Sequence, residues 1–129
     1  MTMKALVIDD SRTMRRIVAG VLKNLGYDTL EAGDGQEALN VLESESDIAL
    51  CCVDWNMPVM DGLTFVKEVR AQAQWRDITL MMVTTESEHG QIVRALAAGA
   101  HEYLIKPFTP EAIAQKLDFL GVLPAEEPV

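Results

Sequence analysis

From Ile48 to Gly62 the chain reads IALCCVDWNMPVMDG, and five apolar residues, Ala49 to Val53, run directly into a single acid, Asp54. So short an apolar run reads as a strand buried on both faces, which is the position of a central strand in a parallel sheet. The carboxyl end of such a strand lies on the rim where open α/β sheets hold their ligands. Asp54 is thus expected there, presented to solvent by a rigid element. Asn56, Pro58 and Gly62 are loop formers, and Asp61 suits the N-cap of a helix that starts behind them. A reactive group is held in this way.

The flanking sequence repeats the pattern. Lys4–Ile8 is a second buried strand, ending in Asp9 and Asp10, and Ser11 is a good N-cap for a helix starting directly after it. Met14, Ile17, Val18, Val21, Leu22 and Leu25 recur at helical spacing until Gly26 stops the run. Tyr27 to Ala32 is a short strand, and Asp34-Gly-Gln-Glu37 has the shape of a capping box before a helix that buries Ala38, Val41 and Leu42. Asp61 opens a helix with Phe65, Val66 and Val69 inward. Ile78 to Val83 is the fourth strand, closed by Thr84 and Thr85, and Ser87 or Glu88 opens a helix carrying Ile92, Val93, Leu96 and Ala97. Glu102 to Ile105 is the fifth strand, followed by Lys106-Pro107. Thr109-Pro110-Glu111 starts the last helix, with Ile113, Leu117 and Leu120 inward. Strands and helices alternate with short connections, which predicts a five-stranded parallel sheet with helices on both faces. Residues 1–122 form one domain, and 123–129, rich in proline and glutamate, form a short C-terminal tail.

Composition narrows the function. Eleven basic against 20 acidic residues give a net charge of −9, which opposes nucleic-acid binding and favours basic or metal-bearing partners. Arg12, Arg15, Arg16 and Lys23 read as a solvated helix face that also offsets nearby acids. No stretch reaches the ~18 apolar residues of a membrane span, and the amino terminus lacks the apolar core of a signal peptide. The cytoplasm is the expected location. Cys51 and Cys52 are neighbours on one strand and point to opposite faces, so they are expected as buried, reduced thiols.

Five side chains are expected at the carboxyl ends of strands: Asp9, Asp10, Asp54, Thr84 (or Thr85) and Lys106. Clustered carboxylates repel one another, which raises their pKa values or demands a cation. An all-oxygen donor set suits Mg²⁺. No GxxxxGK[ST] and no GxGxxG occurs, and no Ser/His/Asp arrangement is present. Acid, divalent cation, hydroxyl and lysine together suit phosphoryl transfer to a carboxylate. Phosphatases and ATPases of the haloacid dehalogenase type need DxDx[TV] after the first strand, and Asp9-Asp10-Ser11 does not supply it.

Val7–Ile17 (VIDDSRTMRRI), Asp54–Leu63 (DWNMPVMDGL), Met82–Glu86 (MVTTE) and Tyr103–Thr109 (YLIKPFT) resemble the receiver domain of two-component response regulators. The stand-alone chemotaxis regulators of the CheY type are the subtype most resembled, and the likeness spans residues 3 to 120. It implies a flavodoxin-like, doubly wound sheet in the order 2-1-3-4-5. It implies that Asp54 is the phosphoacceptor, taking a phosphoryl group from a phosphohistidine of a sensor histidine kinase. Asp10, Asp54 and the backbone carbonyl of Asn56 would bind Mg²⁺ directly, and Asp9 would act through water. Thr84 would bond the phosphoryl group, Lys106 would pair with it, and Tyr103 would be an aromatic switch that follows Thr84. Lys106-Pro107 resembles the family's cis peptide. Thr85 is bulkier than the alanine or glycine often found beside the switch threonine. Glu88-His89 stand where well-known members carry lysines.

The function so implied is a phosphorylation-controlled binding switch acting in chemotaxis, monomeric and without membrane or nucleic-acid contacts. Its target, such as a flagellar motor component, would dock on the fourth helix, fifth strand and fifth helix, around Glu88, His89, Tyr103, Phe108 and Lys116. Such a chain catalyses its own phosphorylation and dephosphorylation and is not a metabolic enzyme. A phosphorelay carrier passing the group to a histidine phosphotransfer protein is the alternative. A degenerate scaffold is disfavoured, because no site residue is missing.

Overall fold

The computed structural model of the chain describes residues 3–85, 90–106 and 108–124. Its strands are β1 (Lys4–Ile8), β2 (Asp28–Ala32), β3 (Ile48–Asp54), β4 (Thr79–Thr85) and β5 (Glu102–Lys106). The helices are α1 (Arg12–Asn24), α2 (Gly35–Ser44), α3 (Gly62–Arg70), α4 (Ile92–Ala98) and α5 (Pro110–Leu120), with a 3₁₀ turn at Ala73–Trp75. The sheet is wholly parallel in the order β2-β1-β3-β4-β5, as expected. Strand order reverses between β1 and β3, and both of these strands lead into acids.

Each face of the sheet carries its own core. Leu6, Ile8, Cys51, Val53, Leu80 and Met82 pack against Ala38 and Leu42 of α2 and Phe65, Val66 and Val69 of α3. Ala5, Val7, Leu50, Cys52, Met81 and Val83 pack against Val18 and Leu22 of α1 and Ile113 and Leu117 of α5. Cys51 and Cys52 fall in opposite cores and are free. Burial pushes both thiols up, Cys52 to about 12, so neither is a nucleophile at neutral pH.

The helix starts form as the sequence predicts. Ser11, Asp34, Asp61 and Thr109 accept from the backbone N–H of Met14, Glu37, Thr64 and Ala112, respectively, at 2.8–3.2 Å. One detail differs: the Glu37 carboxylate accepts from the Gly33 N–H, one residue before the position a capping box uses. Val18 and Leu22 of α1 are buried as expected, but members of two apolar stripes face out. Ile17 is 53% exposed, and on α4 Val93 is 72% and Leu96 38% exposed, while Ile92 and Ala95 face inward. At the other end, Leu123 packs on the α1/α5 core and Pro124 lies against Gly26, with the Tyr27 hydroxyl donating to the Val122 carbonyl. The chain is therefore packed through residue 124. The expected helix start at Ser87 or Glu88, the side chain of His89, the Lys106-Pro107 bond and residues 125–129 lie outside the described residues. Among the described residues no helix is long and apolar enough to cross a membrane.

Candidate phosphoacceptor site

The alternation that fills the α1/α5 core also delivers the site. Asp9 follows Val7, Asp54 follows Cys52 and Lys106 follows Leu104, each two residues beyond a core side chain on the same face. One carboxylate oxygen from each of Asp9, Asp10 and Asp54 lies within 4.8 Å of the others. Lys106 is paired with Thr85 in the β4–β5 register, so its side chain crosses the end of β4 to reach the acids. Its Nζ stands 3.3 Å from Asp9 Oδ2 and 3.3 Å from Asp54 Oδ1. Asp9 is also held by the Ser11 N–H, which donates to Oδ1 at 2.8 Å, while Arg15 Nη1 donates to its backbone carbonyl at 2.7 Å.

Asp54 is not presented to solvent as expected. It is only 7% exposed, because β3 runs through it and Asp9 and Lys106 cover the carboxylate. Burial and then the Asp9 charge push its pKa from the ordinary 3.8 up to about 6, against the pull of Lys106. Burial alone would lower the Lys106 pKa, but the charges of Asp54 and Asp9 outweigh it and the value is raised.

The stability consequence has a definite sign. A carboxyl whose folded pKa is raised binds more protons folded than unfolded between about pH 4 and about pH 6. The Asp54 contribution to stability therefore declines as pH rises through that window. The raised Lys106 value acts in the alkaline range: its contribution is present below the unfolded value and is lost as pH rises through the folded one. Metal-free urea melts of wild type and Asp54→Asn should show the variant gaining relative stability from pH 4 to pH 6.5. A constant difference would mean that the Asp54 carboxyl titrates normally.

Thr84 sits on the other face of the β4 end, continuing Leu80 and Met82. It is 1% exposed, and its Oγ1 has no hydrogen-bond partner among the described residues. An unsatisfied buried hydroxyl costs about 1–3 kcal/mol, so this one is poised for an acceptor that no described residue supplies. Tyr103 is half-buried against the α2/α3 core, with Lys116 Nζ 4.7 Å from its ring centroid and paired to Glu102 at 3.1 Å.

Two positioning features escaped the sequence reading. Gly62, read as a loop former, is required by close approach: a Cβ there would lie 2.5 Å from the Asp54 carbonyl oxygen. Its N–H donates to the Trp55 carbonyl at 3.0 Å and closes the turn behind the acid. Arg15, read with the solvated face, ties the end of β1 to Glu31 of β2 as well as to Asp9. The oxygen-only donors of the acid cluster fit a hard divalent cation such as Mg²⁺.

A family profile described as the response regulator receiver domain matches residues 5–118. The chain belongs to that family. Among its relatives, a chemotaxis protein CheY homolog of Campylobacter jejuni is 48% identical over 121 residues, covering 92% of this chain and 93% of that protein. Among solved structures, CheY4 of Vibrio cholerae superposes with a TM-score of 0.85 at 37% identity, covering 92% of this receiver domain and 98% of that chain. The receiver domain of the Pseudomonas aeruginosa sensor histidine kinase PA1611, described with a magnesium ion coordinated in its active-site cleft, gives a TM-score of 0.81 at 27% identity. It covers 92% of this receiver domain and 97% of that chain.

Proposed function

We propose that this receiver domain takes a phosphoryl group from a sensor kinase phosphohistidine onto Asp54 and thereby switches its binding to a chemotaxis target. The observation that carries the reading is Lys106 Nζ shared between Asp54 and Asp9 beside the carboxylate of Asp10. In the step itself an Asp54 carboxylate oxygen attacks phosphorus, the phosphorus–nitrogen bond breaks, and the leaving imidazole keeps the bonding pair and takes up a proton. Asp10, Asp54 and the Asn56 backbone carbonyl would hold Mg²⁺, whose charge would offset that on the transferring oxygens. Asp9, whose oxygens accept from the Ser11 N–H and from Lys106, would act on the cation through water. Lys106 pairs with the phosphoryl oxygens, and the Thr84 hydroxyl donates to one of them.

The conformational step arises from that last bond. A charge-assisted hydrogen bond draws Thr84 toward Asp54, and Tyr103 fills the space it leaves. The surface altered is α4, β5 and α5, where Val93 and Phe119 are 72% and 80% exposed. A hollow of about 370 Å³ between Glu102, Ala112, Gln115, Lys116 and Phe119 lies on the same side. A flagellar motor component is the target in this reading, and the acting form is a monomer.

Tyr103→Ala separates the two halves of the account. Phosphorylation at Asp54 should proceed unchanged, while the affinity gain for the motor component on phosphorylation, about tenfold for a typical coupling, should largely vanish. Titration of both forms into the purified motor component decides it. An undiminished gain in the variant would remove Tyr103 from the switch.

A further inference from the structure

We propose that Gly35 is a positioning residue for the cation site, acting through Met60 on the turn that carries Asn56. The inference rests on the reading that the Asn56 carbonyl is a cation ligand. Gly35 is the first residue of α2 and is buried, and its N–H donates to the Met60 carbonyl at 3.2 Å. A Cβ at position 35 would lie 2.8 Å from that carbonyl oxygen and 2.8 Å from Met60 Cγ. The backbone at Met60 is thus seated on α2 at a distance that only glycine allows.

The seated turn is under strain. Val59 has φ +68°, a backbone region that β-branched residues almost never occupy, and the Met60 N–H closes a tight turn onto the Pro58 carbonyl at 2.7 Å. Val59 is 82% exposed, so packing of its own side chain does not hold this conformation. The turn is held from its ends instead. At one end the Gly62 N–H meets the Trp55 carbonyl, and at the other Met60 rests on Gly35. The α2 start is itself rigid, because Asp34 caps it and Glu37 reaches back to Gly33. Asn56 lies between these anchors. Pushing Met60 off α2 lets the strain at Val59 relax and moves the Asn56 carbonyl away from the acids.

The test compares wild type, Gly35→Ala and Gly20→Ala. An added Cβ at Gly20 meets nothing within 4 Å, so that variant controls for a glycine replaced on a helix. Mg²⁺ affinity is read from Trp55 fluorescence, with Trp55→Phe correcting for Trp75, and backbone amide shifts are recorded without metal. Gly35→Ala should bind Mg²⁺ about tenfold more weakly or worse, the loss usual when a ligand's supporting contact is removed. Its metal-free amide shifts should concentrate at residues 56–60, and Gly20→Ala should match wild type. If Gly35→Ala only lowers the urea midpoint and keeps wild-type affinity, the inference is overturned. If wild type itself fails to bind Mg²⁺, the cation reading falls, and the clamp is judged by the metal-free shifts alone; changes confined to α2 would refute it. Should Gly35→Ala not fold, exchange of the Gly35 amide in wild type decides, since coupling is reciprocal. Saturating Mg²⁺ should slow that exchange about tenfold, and an unchanged rate contradicts the proposal.

Discussion

Incubated with acetyl phosphate and Mg²⁺, the wild-type chain is expected to gain one labile phosphoryl group, and Asp54→Asn none. The expectation comes from the features that distinguish Asp54 among the three clustered acids. Asp9 spends one oxygen on the Ser11 N–H and the other on Lys106, and Asp10 is exposed at the site's edge. Asp54 stands on the central strand, with its backbone carbonyl seated over Gly62 and its carboxylate beside Lys106. An attack in line needs a nucleophile that does not move, and of the three acids only Asp54 lies within a strand, whereas Asp9 and Asp10 follow the end of β1. Intact-protein mass spectrometry on both proteins, with and without EDTA, reads the result. Equal phosphorylation of the variant would reassign the acceptor.

Lys106→Met should lower metal-free stability at pH 8 by about 2 kcal/mol, less than the 3–5 kcal/mol of a fully buried pair because Lys106 keeps some contact with water. Removing the ammonium leaves Asp9 and Asp54, both largely buried, with no cation between them. The loss should shrink at pH 5, since the Asp54 carboxyl, already raised to about 6 with Lys106 present, then takes up a proton instead of remaining ionised. Millimolar Mg²⁺ should restore part of the pH 8 loss by binding the folded form alone. Urea melts at the two pH values, each with and without Mg²⁺, test this. A loss independent of pH would show that Lys106 acts through packing and not charge.

The element order and the N-caps were legible because they rest on local chemistry. Ser11, Asp34, Asp61 and Thr109 each needed only the backbone three residues ahead. The site acids were legible because they interrupt apolar runs at strand ends. The α4 stripe was not, since Ile92, Val93, Leu96 and Ala97 have helical spacing but spacing does not fix which face turns inward. The small Ala95 fills the inward position and leaves Val93 in solvent. The burial of Asp54 was equally hidden, because it depends on Lys106 reaching across β4 from a distant part of the chain. The same holds for Gly35 and Gly62. Both read locally as turn or helix-start glycines, and the need for them comes from Met60 and the Asp54 carbonyl.

The carboxyl that carries the phosphoryl group can be marked chemically. Borohydride reduces an acyl phosphate to the alcohol and so leaves a permanent mark on the acceptor. Wild-type protein treated with acetyl phosphate and Mg²⁺, reduced and sequenced by tandem mass spectrometry, should carry homoserine at position 54 and at no other acid. A mark at Asp9 or Asp10, or none in the presence of Mg²⁺, would contradict the assignment to Asp54.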